Sequence, residues 1–296
     1  MTSNPLDHKI DFSVVIGVKN ANPNGDPLDA NRPRVNADGL GEISDVAIKR
    51  KIRNRWQDMG LPTLVQQQDR ITDGVTNIRD RVKMSQAVND VLAEKPDKEP
   101  NWREKFIQAA TQSWLDVRAF GQVMPFKKGL NDGLDGVSIP VRGPVTIQAA
   151  YSIHSISVKE EQITKSINLE PGDTKGSDTM GTKAMVPFGV YKFNGSINVE
   201  QAERTGFTED DAEALKKALE TLFVNDASAA RPEGSMVVLK VVWWEHDSKL
   251  GKLPPYQVHE ATQVSYGEDA SSFAQVSIKV NDPHVDGLHV QEIQGY

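Results

Sequence analysis

The sequence predicts an α+β domain of the split βαβ, or ferredoxin-like, kind. Three observations lead there. A strand-period segment at 10–18 is followed by an amphipathic helical segment at 44–59; two more strand segments lie at 145–158 and 191–199; and a second capped helix beginning at Thr208 leads into an apolar run at 236–244. With two long insertions set aside, the order is strand, helix, strand, strand, helix, strand. RNA-recognition modules share that order, but so do many unrelated proteins, so activity has to be argued from particular residues.

Taken in order, Ile10, Phe12, Val14, Ile16 and Val18 alternate with Asp11, Ser13 and Val15, which is the period of a strand. Residues 19–43 have no periodicity and are rich in Asn, Pro, Gly and Asp; a stretch of that length inside a domain is more often functional than idle. Ser44 then offers an N-cap, Val46, Ile48, Ile52, Trp56 and Met59 recur at helical spacing, and Gly60 stops the run. Residues 61–137 are expected to be a mainly helical insertion, with helical periodicity at 77–93 and 102–117 and a turn-rich stop at 129–136. In 145–158, Ile147, Ala149, Tyr151, Ile153, Ser155 and Ser157 fall on one face of the expected strand. Residues 159–187 are polar and read as a loop or a protruding hairpin, and Tyr191, Phe193, Ile197 and Val199 form the next strand.

Thr208 caps a helix whose first turn is Glu209-Asp210-Asp211, and Ala214, Leu215, Ala218, Leu219, Leu222 and Phe223 line its apolar face. Acids there complement the helix N-terminus, an explanation that outweighs a metal site. The near-continuous run 236–244 is expected as a buried strand, and 256–265 and 273–280 as further β structure with a loose acidic end.

Composition narrows the function. The chain has 296 residues, no cysteine, and 34 Lys and Arg against 41 Asp and Glu, for a formal charge of −7. A disulfide scaffold, a thiol nucleophile and Cys-ligated metal are excluded. No apolar run reaches the length of a membrane span and the start lacks a signal-peptide pattern, so the expectation is a soluble, cytoplasmic protein without a membrane partner. The negative charge is concentrated: 200–226 holds eight acids against three cations, and 281–296 holds three acids and no Lys or Arg. The remainder is close to neutral, and local fields rather than net charge decide whether a polyanion binds.

Within that remainder lies Ile48-Lys-Arg-Lys-Ile-Arg-Asn-Arg-Trp56, five cations uninterrupted by an acid. On a helix Lys49, Arg50 and Arg53 share one flank of the apolar seam, and Lys51 and Arg55 the other. A solvated amphipathic face is the ordinary explanation, but such faces commonly mix signs, and phosphate contact is the better reading. The preceding loop, Asn20-Ala-Asn-Pro-Asn-Gly-Asp-Pro27, contributes Asn20, Asn22 and Asn24, with Arg32 and Arg34 following. Turn chemistry accounts for these residues piecewise. Beside the basic helix they also offer donors to phosphate and sugar oxygens.

These residues carry a resemblance. Asn22-Pro-Asn-Gly-Asp-Pro27 after an alternating strand, Ile43-Ser-Asp-Val46, Lys49-Arg-Lys-Ile-Arg-Asn54, Asp116-Val-Arg-Ala-Phe-Gly121, Arg142-Gly-Pro-Val145 and Met180-Gly-Thr-Lys183 before Phe188-Gly-Val-Tyr191 closely resemble the CRISPR-associated backbone subunit of type I-C Cascade. The resemblance implies a modified RRM palm, helical fingers (61–137) and a β-hairpin thumb (159–187) in a single domain. It implies a non-catalytic subunit without cofactor that polymerises head to tail along crRNA in antiviral defence, each thumb folding over RNA held by a neighbour. The implied partners are crRNA, target DNA by way of the guide, further copies of itself, and other Cascade subunits: the repeat-processing 5′-handle subunit, the large PAM-reading subunit and the small subunit. RNA contact is carried in this way onto Arg118, Arg142, Lys175, Met180 and Lys183, the last three in the thumb. No aromatic-rich motif of the base-stacking kind is present, so stacking on the central strands is not expected.

Two alternatives are weaker. A metal-dependent RNase acting on target RNA, as in type III relatives, would use Asp26 or Asp29, although a turn-forming role after Gly25 explains Asp26. A metalloenzyme would draw on His284, Asp286 and His289, which lack the spacing of a known metal motif. No P-loop, GxSxG or nucleotide-binding GxGxxG is present.

Overall fold

The computed structural model describes residues 4–94, 101–126, 138–164 and 180–296. A large antiparallel sheet is built around β1 (Ile10–Ala21), which is buried on both faces from Ile10 to Val18. On one side β1 pairs with β3 (Met180–Ile197), and β3 with β2 (Ala150–Ser155); on the other it pairs with β4 (Met236–His246), and β4 with β5 (Leu288–Gln294). Helix α1 (Asp45–Asp58) lies between β1 and β2 in the chain, and α2 (Glu209–Glu220) between β3 and β4. The strands of each βαβ half are therefore parallel and separated by one strand of the other half, the interlock that defines a split βαβ core. The short strand Leu40–Ile43 extends the sheet beyond β2.

Phe12, Val14, Ile16 and Val18 face the helices and pack with Ile48, Ile52 and Trp56 of α1 and Leu215 and Leu219 of α2 in the main core. Both helix starts form as expected. Ser44 Oγ accepts the Ala47 amide at 3.4 Å, and Thr208 and Asp211 make a reciprocal capping box. Val46 departs from the expected apolar face and is 66% exposed.

The other sheet face is closed by the chain itself. Residues 247–287 cross it, with a short helix (Pro255–Glu260) and a hairpin (Thr262–Ser265 with Ser277–Val280). Phe273 lies so close to Gly17 that a Cβ there would sit 2.5 Å from its ring. At the opposite end the buried Asp11 carboxylate accepts from His246 Nε2 at 3.0 Å and from Ser196 Oγ, with Lys9 Nζ at 3.4 Å. Lys192 Nζ donates to the His259 and Thr262 carbonyls, both at 2.6 Å, and thereby ties this crossing segment to β3.

Several expectations are corrected. The strand at 145–158 is broken into Val145–Ile147 and Ala150–Ser155; the register against β3 slips by one residue between them and flips the alternation, so Ala150 and Ser152 face inward and Tyr151 is 42% exposed. The helical run at 77–93 divides at Ser85, whose extended backbone ends one helix and whose Oγ caps the next. The run at 102–117 divides likewise at Trp114. These helices share a second core, centred on Trp102, Phe106 and Val117, that also takes in Ile139 and Val141 of the strand Ser138–Arg142. The second core therefore continues past residue 137. Residues 159–164 and 180–185 form the two arms of a hairpin continuous with β3. The acidic C-terminal segment is not loose: β5 pairs along β4, with Lys240 Nζ 2.6 Å from Glu292.

Candidate nucleic-acid interface

The 22–34 loop is a fixed corner between β1 and α1. Asn24 Oδ1 accepts from both the Ser44 amide (2.9 Å) and the Ser44 hydroxyl (3.0 Å), fastening the loop onto the N-cap of α1. The buried Asn22 donates to the Asn31 carbonyl at 2.7 Å, while its own amide donates to Ala230. Gly25 is required, because a Cβ would meet the Asn31 side chain at 2.1 Å. Asn22 and Asn24, expected as phosphate donors, thus hold the loop together. Asn20, exposed and at φ 51°, is the asparagine left facing solvent.

The basic run on α1 is also different in three dimensions. Its cations have no acid between them in sequence, yet each finds a protein partner. Lys49 pairs with Asp45 at 3.1 Å, Arg50 with Gln67, Lys51 with Asp226, Arg53 with Asp116 at 2.9 Å, and Arg55 with Asp58 at 2.8 Å and Thr221 at 3.1 Å. Lys51, expected on an outer flank, is 1% exposed, and burial pulls its amine down to about 8 against the opposing pull of Asp226. Asp116, also 1% exposed, accepts from the Leu64 and Val65 amides at 2.7 and 3.1 Å as well as from Arg53. Arg50, Lys51, Arg53 and Arg55 therefore join α1 to the rest of the fold. Lys49 is half-buried and pairs only within its own helix, with Asp45 one turn back, an i,i+4 contact that contributes little and leaves the ammonium able to exchange partners.

Phe120 organises the neighbouring surface. It stacks on Trp56 at 5.2 Å and carries Arg53 at 5.2 Å and Lys49 at 5.9 Å over its ring. Arg142 lies across the ladder from Gly121, the next residue, and is exposed, its guanidinium making no hydrogen bond or ion pair among the described residues. Arg34 is 3.5 Å from Asp26, and Arg32 reaches Glu160 at 2.7 Å, linking the loop to the hairpin. On that hairpin Met180 is 66% exposed and Lys183 is half-buried opposite Glu161; Lys175 lies outside the described residues.

Arg118 belongs elsewhere. It forms a two-pronged pair with Asp211, both contacts 2.7 Å, and donates to the Thr111 carbonyl at 2.6 Å. It lines a cleft of about 900 Å³ that also contains Glu104, Glu203, Asp210 and Asp211, acidic surroundings unsuited to phosphate.

Comparison with known proteins identifies the family. The family model described as CRISPR-associated protein Cas7 matches residues 8–281. This chain belongs to the Cas7 family. It is 30% identical over 225 residues to a CRISPR-associated protein Cas7 of Haloferax volcanii, a match covering 70% of this chain and 62% of that protein's length. Its fold is similar to a chain of a solved CRISPR RNA-guided surveillance complex in a pre-nicking state, with a TM-score of 0.51 at 14% identity, over 90% of this chain and 85% of the other. A chain of a second CRISPR RNA-guided surveillance complex matches with a TM-score of 0.48 at 16% identity, over 90% and 78% of the two chains.

In this Cas7-family chain Asp26 is occupied within its turn, accepting the Leu28 amide at 3.0 Å and pairing with Arg34, while Asp29 is exposed and 3.9 Å from Arg32. His284 sits 3.6 Å from Asp282 on the surface. Among the described residues, the group of three ligand-type side chains that do converge is Asp7, His8 and Glu209 instead. No described helix is long and apolar enough to cross a membrane.

Sequence reasoning missed Lys19. It is exposed at the end of β1 and its side chain carries no partner among the described residues. Its signal was available, as the first charged residue where the apolar alternation stops. Also missed was an aromatic group of Phe188, Tyr266 and Phe273, drawn from two distant segments.

Proposed function

We propose that this Cas7-family chain is a non-catalytic backbone subunit of a type I-C CRISPR effector, polymerising along crRNA and holding its phosphate–sugar backbone. The observation that carries the reading is the fixed corner between β1 and α1, in a chain of this family that also carries Lys19 beside Asn20 at the end of β1, Lys49 on α1, and Arg142 across the ladder from Gly121. Charged and amide groups on rigid elements contact phosphate and sugar without reading sequence, which suits a protein that must accept any guide. Base edges stay free to pair with a target strand.

Polymerisation is supported by the hairpin, where Met180 (66% exposed) and Ile163 (51% exposed) present apolar surface that a neighbouring copy would cover. A contact of one surface with a different one repeats without closing and yields a helical filament. The non-catalytic assignment is supported by the turn-capping role of Asp26, and the further Cascade subunits are proposed as its partners. Co-expression with a guide-encoding array tests the reading. The purified chain is expected to carry RNA, to protect it from added nuclease at a regular period, and to leave it uncut with Mg²⁺. A chain free of nucleic acid overturns the scaffold, and metal-dependent cutting lost in Asp26→Ala overturns the non-catalytic assignment.

A further inference from the structure

One cavity is used by none of the contacts above. It lies at the Ala21 end of the sheet, on the face opposite α1 and α2, with a volume of about 540 Å³, and is bordered by His154, Ser155, Ser157, Phe188 and Tyr266. Phe188 and Tyr266 meet edge to face at 5.7 Å, His154 and Tyr266 at 4.6 Å, and Phe273 backs Phe188 at 5.6 Å. The crossing segment closes this sheet face elsewhere, but here Phe188 and Tyr266 remain only half-buried.

Two features narrow the occupant. Lys19 is the cross-strand partner of Phe188, so the two side chains leave the same sheet face side by side. An exposed, unpaired ammonium beside the rings disfavours a cationic guest and suits a phosphate. The remaining lining mixes aromatic surface with the hydroxyls of Ser155 and Ser157, and its one acid among the described residues, Glu268, can accept from an exocyclic amine. Aromatic surface next to a phosphate-binding cation is the combination that holds single-stranded nucleic acid.

We propose that this pocket stacks one unpaired nucleobase of a nucleic-acid strand on Phe188 and Tyr266, with Lys19 on the adjoining phosphate. The inference rests on the reading that the chain holds RNA. It adds a base-binding position on the sheet face away from the α1 cations.

The test is a short oligouridine carrying one 2-aminopurine, whose fluorescence falls on stacking, titrated into the full chain. Wild type is expected to quench it. Phe188→Ala is expected to bind roughly tenfold more weakly, the loss of about one base–aromatic stack, and to lose the quench. Ser157→Leu fills the cavity without touching the aromatic packing and is expected to lose the quench too, which guards against misfolding in the first variant. Neither changes charge, so the salt dependence stays as in wild type. Wild-type quench and affinity in both variants overturn the pocket and leave the scaffold standing. Absence of RNA binding by wild type overturns both. Resonance shifts at Tyr266 with tetramethylammonium but not with adenosine monophosphate would identify a cation cage, and overturn the base-stacking assignment.

Discussion

Replacing Asp116 with alanine removes the acceptor of three donors at once: the Leu64 amide, the Val65 amide and Arg53 Nε. Breaking a buried ion pair by removing one partner costs about 3–5 kcal/mol. Leaving a buried amide without an acceptor costs about 1–3 kcal/mol. Val65 is half-buried and Arg53 is 13% exposed, so water replaces part of what is lost, which puts Asp116→Ala at about 4 kcal/mol. Arg53→Ala leaves Asp116 its two amides and is expected to cost about 2 kcal/mol. Urea unfolding of the two single variants and the double variant gives a coupling of about 1–3 kcal/mol. A loss below about 1 kcal/mol for Asp116→Ala, the scale of a surface pair, would refute the view that this flank of α1 is a structural junction.

Three further outcomes are expected. Burial lowers Lys51 from 10.5 to about 8, so between these values the unfolded chain binds more protons and stability rises with pH; Lys51→Met is expected to abolish that rise, and a stability difference between wild type and variant that stays constant with pH would refute it. Asp26→Ala and Asp29→Ala leave RNA cleavage at background with or without Mg²⁺, and a metal-dependent cut that either variant removes would favour the RNase. Replacing residues 165–183 by a short Gly-Ser linker spares the monomer's unfolding transition but prevents ordered multimers on guide RNA; full-length assemblies with unchanged protection periodicity would place the intermolecular clamp elsewhere.

What the sequence disclosed was local. The alternation from Ile10 to Val18 predicts a central strand, and Ser44, Ile48, Ile52, Trp56 and Gly60 mark α1 from cap to stop, because both signals lie within a few residues. The Thr208 cap and the apolar run of β4 were legible for the same reason. Long-range pairing was not. Arg53 finds Asp116 63 residues away and Lys51 finds Asp226 175 away, so a run that looks acid-free along the chain is largely neutralised in the fold. Asn22 donates and Asn24 accepts, and only the folded loop shows that their partners are Asn31 and Ser44 of the protein itself. The pause after Ile147 that turns Tyr151 outward has no composition signal of its own, and Phe188, Tyr266 and Phe273 become a group only when residues 247–287 cross the sheet.

The central claim is that Lys19, Lys49 and Arg142 meet RNA phosphate while Arg53 and Arg118 hold the protein together. Its most direct test is the salt dependence of guide-RNA binding in single alanine variants. Each phosphate contact removed lowers the log–log slope by about 0.7 for a single strand. Lys19→Ala and Arg142→Ala are expected to lower it by about that amount with unchanged unfolding midpoints, whereas Arg118→Ala lowers the midpoint and leaves the slope alone. A slope that falls in Arg118→Ala and holds in Lys19→Ala and Arg142→Ala would contradict the account.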